Sequence, residues 1–540
     1  METIKVERLD HLGVVAGVIR DLGIIKHIDA RIAPDDQQEI TTGEAIAGMI
    51  INGLGFSLRP ISLTPQFFEN KPVELLFRPG VCPRHFNRFK LGRSLDKVFD
   101  YGCDLLFSEI ALSVCQKEGI DCQFNCLDTT SFSLTGQYVP ETDEQAIAIT
   151  HGYSKDHRPD LKQAVLELVV SQDGGIPFIS KSWDGNASDN VVFKQRCDAL
   201  VEQFSQSKTP RYLIADSKLY TKTNAPTLAQ LPFITRIPET IKLARDAIEK
   251  AWDANCWQIL DDERRYYPVS LSHYGIPQRW LVVYSQSGEQ RAEQTVKKAK
   301  AKESEKIDKQ LFHLQAQRFT SESDAKEALD QIAHQWKYHR VSEVTLKRHI
   351  QYAKKGRPTL KTPIKDIQWQ IHAHPVVDEA KITDALHRRS CFVIGTPIPE
   401  SVLTDEQVIC GYQGQSTVER GFRFLKDPIF FVSSLFVKKP SRIEGLLMVM
   451  TLALLVYSVA QRRMRAWLAD TAQTLPNQIG QPTQRPTLRW IFQLLEGIHR
   501  VVFTVGESVM TFIEGVTGLR RQILRLFGQQ ICQIYQISSA

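Results

Sequence analysis

The chain has 540 residues, more than the roughly 250–300 residues that one hydrophobic core usually organises, so we expect at least two packed units. Hydrophobic residues make up 42% and charged residues 24%, which excludes disordered, collagen-like and small disulfide-stapled chains. Lysine and arginine outnumber aspartate and glutamate by 67 to 61. The resulting charge of +6 is compatible with a polyanionic partner but does not demonstrate one.

The cysteine pattern and the first residues predict a cytoplasmic protein. The 10 cysteines include no CxxC pair, and no basic stretch with an apolar run follows Met1, so we expect reduced thiols and no secretory signal. The longest charge-free apolar run, residues 445–460, is shorter than the ~20 residues that span a bilayer. We interpret it as a buried helix and expect no membrane partner.

Residues 1–120 are predicted to be helical, because apolar residues recur at helical spacing in three segments. Thr41 and Glu44 have the spacing of a capping box at the start of one of these helices. A turn-rich loop precedes the stretch 84–90, in which basic residues alternate with phenylalanine, and Arg93 follows. This pattern fits a phosphate-binding surface or a solvated helix face equally well.

Residues 121–242 are predicted to form a mixed α/β unit. Short runs rich in β-branched and aromatic residues indicate five strands, with one helix at 189–204. The predicted strands are 124–133, 164–170, 176–182, 212–215 and 233–237. Turn residues at 173–175 join the second and third strands as a hairpin. Elements in this order favour a mixed sheet flanked by helices.

The rest of the chain is predicted to contain an insertion and two helical regions. Residues 243–395 are irregular, with strand-like pieces around a polar stretch, 290–353, that is typical of a helical pair. Within residues 396–470, the chain is predicted to be helical again from Thr404 through Arg465. A polar linker and a helical tail complete the chain over 471–540.

Two aspartates follow apolar stretches and are candidates for one acidic site. Asp128 comes after residues 124–127, at or near the end of the first predicted strand, and Asp216 ends the strand 212–215. Ligands gather at the carboxyl ends of strands in α/β sheets. Each aspartate alone is equally typical of a turn or a helix cap.

A third candidate lies in residues 411–426, predicted to be helical beyond the glycines. Tyr412, Glu419 and Lys426 are spaced by seven residues, so a continuous helix would place them on one face. A charged outer face is the alternative interpretation.

Taken in order, these blocks resemble the DDE transposases of bacterial insertion sequences, within them the IS4-like group and its IS1634 family. Residues 127–131 are similar to the first-aspartate motif, 214–220 to the second, and 412–426 to the glutamate signature. Residues 151–161 are similar to a further block of that family. The resemblance covers almost the whole chain.

The resemblance implies a ribonuclease H-like core split into 121–242 and 396–470 by the insertion. It implies a transposase that binds the terminal inverted repeats of its element through residues 1–120, acts as a homodimer, cuts DNA and joins the freed 3′-OH to target DNA. Asp128, Asp216 and Glu419 would be catalytic and would hold two Mg²⁺ ions, for which Mn²⁺ can substitute.

The resemblance also implies DNA contacts for Tyr412 and Lys426, while Lys155 and Arg158 fit either a phosphate contact or a solvated turn. One position departs from the pattern: the signature's arginine is Gln415 here, and Arg420 or Arg423 could supply charge instead. Several tryptophans of the insertion are candidates for stacking on a flipped base, and the sequence selects none of them. The candidates are Trp252, Trp257, Trp280, Trp336 and Trp369.

Two other functions are compatible with these residues. One is a DNA-binding protein derived from a transposase that has lost its chemistry. The other is a metal-independent hydrolase with paired carboxylates, such as a glycosidase. Metal dependence separates the second alternative from a transposase.

Overall fold

The computed structural model describes residues 2–35, 37–57, 59–136, 138, 146–205, 211–353, 363–428, 430 and 437–538. The chain divides into two compact units. The first combines Met1–Thr235 with Cys410–Ala540, and the second is Arg236–Ile409. The expected insertion, 243–395, falls within the second unit.

The N-terminal region is mostly helical and begins with a strand. Its elements are β1 (Glu2–Arg8), α1 (Leu12–Leu22), α2 (Ile24–Arg31), α3 (Thr42–Leu54), α4 (Thr64–Phe68), α5 (Val73–Leu76), α6 (Arg88–Tyr101) and α7 (Cys103–Glu118). The capping box at α3 is confirmed: the Glu44 N–H donates to Thr41 Oγ1 at 3.0 Å, and the Thr41 N–H donates to Glu44 Oε2 at 2.8 Å. The expectation of helices alone is wrong for residues 2–8.

The central sheet of the first unit follows the predicted element order. Its elements are β2 (Phe124–Leu134), β3 (Lys162–Ser171), β4 (Pro177–Trp183), α8 (Asp189–Ser205), β5 (Tyr212–Ala215), α9 (Ala225–Leu228) and β6 (Phe233–Ile237). The strand order is β4-β3-β2-β5-β6, antiparallel from β4 to β2 and parallel from β2 to β6. The prediction of a mixed α/β unit is therefore confirmed, although these five strands belong to a larger sheet of nine strands.

The second unit contains a sheet, a long two-stranded ribbon and helices. Its elements are α10 (Lys242–Ala254), β7 (Gln258–Ile259), β8 (Arg264–His273), β9 (Ile276–Ser285), α11 (Gln286–Ala316), α12 (Glu322–Ala333), β10 (His339–Tyr352), β11 (Ile364–Val377), α13 (Glu379–Ser390), β12 (Cys391–Thr396) and the start of α14 (Asp405–Gln413). The predicted helical pair over 290–353 is only partly correct. Residues 339–352 form β10, because they pair with β11, a partner that local periodicity does not reveal.

Two of the candidate tryptophans are removed from solvent in this second unit. Trp280 is 0% exposed on β9, and Trp336 is 5% exposed against the helices α11 and α12. Trp252 stacks on the His387 ring with centroids 3.9 Å apart. The buried positions of Trp280 and Trp336 leave no face of either ring for a nucleic acid base.

The helices α15 (Ser416–Leu425) and α16 (Pro440–Asp470) return the chain to the first unit. α16 packs against α3, α6, α7 and β4 and supplies much of the core. It is long and apolar enough to cross a membrane, but 89% of its most apolar stretch is buried. The interpretation of residues 445–460 as a buried helix is therefore confirmed.

The C-terminal region is not the purely helical tail that we expect from sequence. Its elements are β13 (Leu475–Pro476), β14 (Pro482–Thr483), α17 (Leu488–Leu494), β15 (His499–Val505), β16 (Ser508–Glu514), α18 (Gly518–Arg525) and α19 (Gln529–Ile534). β15 and β16 form a hairpin around Gly506, whose φ of 59° permits the tight turn. β1 pairs with β15, so the two ends of the chain share one three-stranded sheet.

Candidate active site

Asp128 and Asp216 occupy equivalent positions on neighbouring parallel strands. The β2–β5 ladder ends with Leu127 opposite Ala215, and the two aspartates are the next residues. Asp216 keeps an extended backbone, with φ −67° and ψ 162°. Because residues side by side in a pleated sheet point to the same face, we expect both half-buried carboxylates on one face, just past strands about 4.8 Å apart.

Local hydrogen bonds orient the two carboxylates. Oδ1 of Asp128 accepts the Thr129 N–H at 2.7 Å, and Oδ1 of Asp216 accepts the Ser217 N–H at 2.6 Å. The buried Thr235 hydroxyl donates to the carbonyl oxygen of Asp216 at 3.2 Å and to that of the preceding residue at 3.1 Å. Thr235 thus holds the backbone of Asp216 in place, a role that no sequence pattern indicates.

The structure places Asp128 differently from the expected strand end. β2 continues to Leu134 as an antiparallel partner of β3, so Asp128 lies in the middle of the strand. Only its parallel pairing with β5 stops before Asp128. The end of the parallel ladder, rather than the end of the strand, therefore opens the space in front of the carboxylate.

Residues 411–426 extend along β2 from one end to the other. At the start, a Cβ on Gly411 would lie 2.8 Å from the Phe124 ring, so the Gly411 backbone packs closely against that ring. At the end, the Lys426 ammonium lies 5.8 Å from the centre of the Phe132 ring. α15 packs against β2 and β3 between these two contacts.

Asp128 and Glu419 lie midway along these two elements. Phe124, Asp128 and Phe132 have the even spacing that puts them on one face of β2, so α15 covers the face from which Asp128 projects. Glu419 is exposed on α15. In the described part of the chain, no group of three or more His, Cys, Asp or Glu side chains is arranged to hold a metal ion. Convergence of Asp128, Asp216 and Glu419 stays a prediction.

The donor chemistry of the aspartate pair suits a hard divalent cation. Mg²⁺ takes oxygen ligands, keeps several waters and is commonly held by one or two protein carboxylates together with substrate phosphates. Asp128 and Asp216 provide carboxylates on adjacent strands. The pair therefore fits Mg²⁺ without a third protein ligand.

Tyr412, Glu419 and Lys426 do not share one continuous helix. Tyr412 lies on α14, and a turn at Gly414 and Gln415 separates it from α15. The turn forms where the chain passes so close to the Gln172 side chain that a Cβ on Gly414 would lie 2.1 Å from its Cδ. The single face that the seven-residue spacing predicts is therefore wrong for Tyr412.

Gln415 does not face solvent. Its side chain is 8% exposed, in the turn before α15. Three residues separate it from Glu419, and the helix begins with the first of them, so position 415 does not share the exposed side of α15 that carries Glu419. A long cation there would be buried.

Two lysines approach the site from the block 151–161 and from the end of α15. Lys155 Nζ donates to the Thr129 carbonyl oxygen at 2.6 Å and to its hydroxyl at 2.7 Å, one residue beyond Asp128. Lys426 Nζ donates to Asp156 at 2.6 Å. The structure thus brings Lys155, Lys426 and β2 together, and Asp156 is a partner that the sequence analysis missed.

The three arginines predicted to contact DNA are exposed. Arg158 forms two hydrogen bonds to Asp160, at 2.9 and 2.7 Å, and its guanidinium holds the pKa of that carboxyl below the usual range. Arg420 donates to the Thr417 hydroxyl at 3.0 Å on α15. Arg423 also projects from α15. The charge of Arg158 is therefore balanced by Asp160 in the same loop, whereas Arg420 bonds to an uncharged hydroxyl.

The basic stretch of the N-terminal region is partly buried. Phe86 lies in the core, whereas Phe89 is 63% exposed and the Arg88 guanidinium lies 4.8 Å from the centre of its ring. Arg84 and Arg93 are also exposed. This surface of α6 therefore combines cations with one aromatic ring.

The structure therefore has two half-buried aspartates just past the end of a parallel ladder in a mixed α/β sheet. Residues 123–456 match the family model described as a transposase DDE domain, and residues 4–112 match one described as a domain of unknown function, DUF4277. The chain belongs to the DDE transposase family, and we refer to it as a transposase.

Two other comparisons add little. No curated protein sequence matches the chain. A cryo-EM structure of the piggyBac transposase synaptic complex with hairpin DNA is similar over 92% of this chain and 82% of that chain, with 8% sequence identity and a TM-score of 0.37. A similarity of that size supports no argument about this site.

Proposed function

We propose that this transposase binds the terminal inverted repeats of an insertion sequence of the IS4-like group, IS1634 family, and moves it by a cut-and-paste route. It would cut DNA strands and join the freed 3′-OH ends to target DNA. We further propose that its core is ribonuclease H-like, that it acts as a homodimer on DNA, and that it works in the cytoplasm of a bacterial or archaeal cell.

One observation carries the proposal: Asp128 and Asp216 lie next to each other where the parallel β2–β5 ladder ends. The strand order β4-β3-β2-β5-β6 supports the ribonuclease H-like assignment, since three antiparallel strands are followed by two parallel ones. The third proposed ligand, Glu419, lies on α15, which packs against β2. The match over residues 123–456 supplies the reaction class.

Asp128 and Asp216 would hold the Mg²⁺ ions, with Glu419 as a further ligand. The bound metal would polarise the scissile phosphodiester and lower the pKa of the attacking water or 3′-hydroxyl. Thr235 keeps the Asp216 backbone fixed, and Lys155 braces β2 at Thr129. These contacts preorganise the acidic pair before substrate arrives.

Cations around the acidic pair would position the DNA backbone. Lys426 lies on the Asp128 face of β2, Lys155 binds the next residue of the strand, Thr129, and phosphate contacts orient nucleic acid without reading its sequence. Tyr412, Arg158, Arg420 and Arg423 are proposed as further contacts. The exposed Arg88–Phe89 surface of α6 is a candidate for contact with the repeats.

The test is cleavage of a labelled DNA duplex that carries the element's end, in Mg²⁺ or Mn²⁺. Asp128→Asn and Asp216→Asn should each abolish nicking but retain duplex binding, because each removes a metal ligand and few DNA contacts. Glu496→Gln is a control with the same change in charge, since Glu496 is exposed in the turn after α17. Metal-dependent nicking by Asp128→Asn would show that the acidic pair is not the active site.

The same assay addresses the alternatives. A wild-type protein that binds the duplex without cutting it in either metal would be a repurposed DNA-binding protein. Cutting that persists in chelator would exclude the two-metal reaction.

A further inference from the structure

An open cleft of about 1420 Å³ lies in the first unit between α15, α16 and the loop before α17. Among the described residues that line it, six are arginines, two are aspartates and none is a lysine, histidine or glutamate. The arginines are Arg420, Arg423, Arg462, Arg465, Arg485 and Arg489. We call this feature the arginine cleft.

Both aspartates of the arginine cleft are already paired. Arg462 forms two hydrogen bonds of 2.7 Å to the Asp173 carboxylate. Arg489 forms an ion pair with Asp427. Each aspartate of the cleft is therefore paired with one arginine. Neither aspartate balances the charge of the other four arginines.

The remaining arginines have no acidic partner among the described residues. Arg465 donates to the Pro486 carbonyl oxygen at 3.1 Å, and Arg420 donates to a threonine hydroxyl. Burial lowers the pKa of Arg465, and the nearby charges of Arg420 and Arg485 lower it further against an opposing effect of Tyr457. Arg465 is therefore close enough to Arg420 and to Arg485 to be repelled by each of them, an arrangement that a bound anion would stabilise.

The arginine cleft and the proposed active site lie on different sides of α15. Glu419 and Lys426 are seven residues apart and share one side, on which Lys426 contacts β2. Thr417, Arg420 and Phe424 line the cleft and are rotated by about 100–160° around the helix from Glu419. A DNA strand that crosses α15 would need to cover about 10 Å, the diameter of a helix with its side chains. This distance equals the rise of roughly three nucleotides of one B-DNA strand.

We propose that the arginine cleft binds backbone phosphates of the DNA strand. The strand would continue from the Glu419 side of α15 past Arg423 into the cleft. The inference rests on the proposed function, since it requires DNA at Asp128 and Glu419, and it assigns Arg465 and Arg485 a role beyond that site. Arginine suits the site because its planar guanidinium binds phosphate oxygens in pairs.

The test measures binding of a fluorescent DNA duplex of fixed length without divalent ions, at salt concentrations from about 50 to 200 mM. The double variant Arg420→Gln with Arg485→Gln should lower the slope of log K against log salt by up to about 1.8, or 0.9 for each lost phosphate contact. Arg521→Gln, on an exposed part of α18, should leave the slope unchanged. Arg485→Lys should retain most of the slope, because it keeps the charge.

Equal slopes for the wild type and the double variant, at unchanged melting temperature, would overturn the proposal. The proposal would also be overturned if the cleft binds inorganic phosphate but the salt slope of duplex binding is the same in the wild type and the double variant. Because the measurement contains no metal, it is independent of cleavage. The wild-type protein could cut no DNA while the double variant still shows a smaller salt slope. That result would contradict the proposed function but support phosphate binding by the arginine cleft.

Discussion

The ammonium nitrogen of Lys426 lies 2.6 Å from a carboxylate oxygen of Asp156 and 5.8 Å from the centre of the Phe132 ring. The side chains of this ion pair are 25% and 36% exposed, so the pair contributes at most about 1 kcal/mol to stability. It joins α15 to the block 151–161 beside the acidic pair. A DNA phosphate that binds Lys426 must compete with Asp156 for the same ammonium.

Replacement of Asp156 should therefore strengthen DNA binding. Asp156→Asn removes the competing carboxylate, and the salt slope of duplex binding should steepen by up to about 0.9, one phosphate contact. Glu496→Gln makes the same change in net charge at an exposed position outside this pair and should have a smaller effect. If Asp156→Asn steepens the slope equally when Lys426 is alanine, the effect does not act through Lys426.

Glu419→Gln should separate catalysis from stability. Because Glu419 is exposed, replacing its carboxylate with an amide should change the free energy of unfolding by no more than about 0.5 kcal/mol. DNA cleavage in Mg²⁺ should be lost. Glu496→Gln, also exposed, is a control for both measurements. Cleavage at wild-type rate by Glu419→Gln would remove Glu419 from the proposed ligand set.

Gln415→Arg should destabilise the protein instead of improving DNA contact. The side chain at position 415 is 8% exposed, and a buried cation without a partner costs about 1–3 kcal/mol or more. Gln413→Arg places the same cation at an exposed position two residues earlier and should be tolerated. Thermal unfolding compares the two variants, and a steeper salt slope for Gln415→Arg at unchanged stability would contradict the burial argument.

Glu444 should make stability depend on pH. Burial raises its pKa from 4.5 to about 7, the Ile147 backbone hydrogen bond opposes this, and its Oε2 has no hydrogen-bond partner in the described residues. The folded protein therefore binds a proton more tightly than the unfolded chain. Its free energy of unfolding should fall as pH rises from about 4.5 to 7, by up to about 3 kcal/mol from this group.

Glu444→Gln should remove that pH dependence, as measured by chemical denaturation at several pH values. The amide stays neutral, so the variant should be more stable than the wild type at pH 8 and of similar stability at pH 4. Glu496→Gln should leave the curve unchanged. A wild-type curve that stays flat across this range would show that Glu444 is ionised at no cost in the folded protein.

Elements whose conformation depends on a few neighbouring residues could be predicted from the amino-acid sequence. The short β-branched runs 212–215 and 233–237 are β5 and β6 with the predicted bounds, and Thr41 caps α3, because strand propensity and capping act within a few residues. The hairpin of β15 and β16 has a similar signal, since two β-branched runs flank Gly506. The prediction of a helical C-terminal tail does not include this hairpin.

Relationships between distant segments could not be predicted, because they depend on how the folded chain packs. The pairing of β1 with β15, the turn that separates Tyr412 from Glu419, the burial of Gln415, and the meeting of Arg420 with Arg465 and Arg485 all depend on contacts between parts of the chain far apart in sequence. Local periodicity reports which face of an element is apolar, but it does not report what that face packs against. For that reason the sequence indicated the carboxylates individually, and the parallel ladder of β2 and β5 made two of them neighbours.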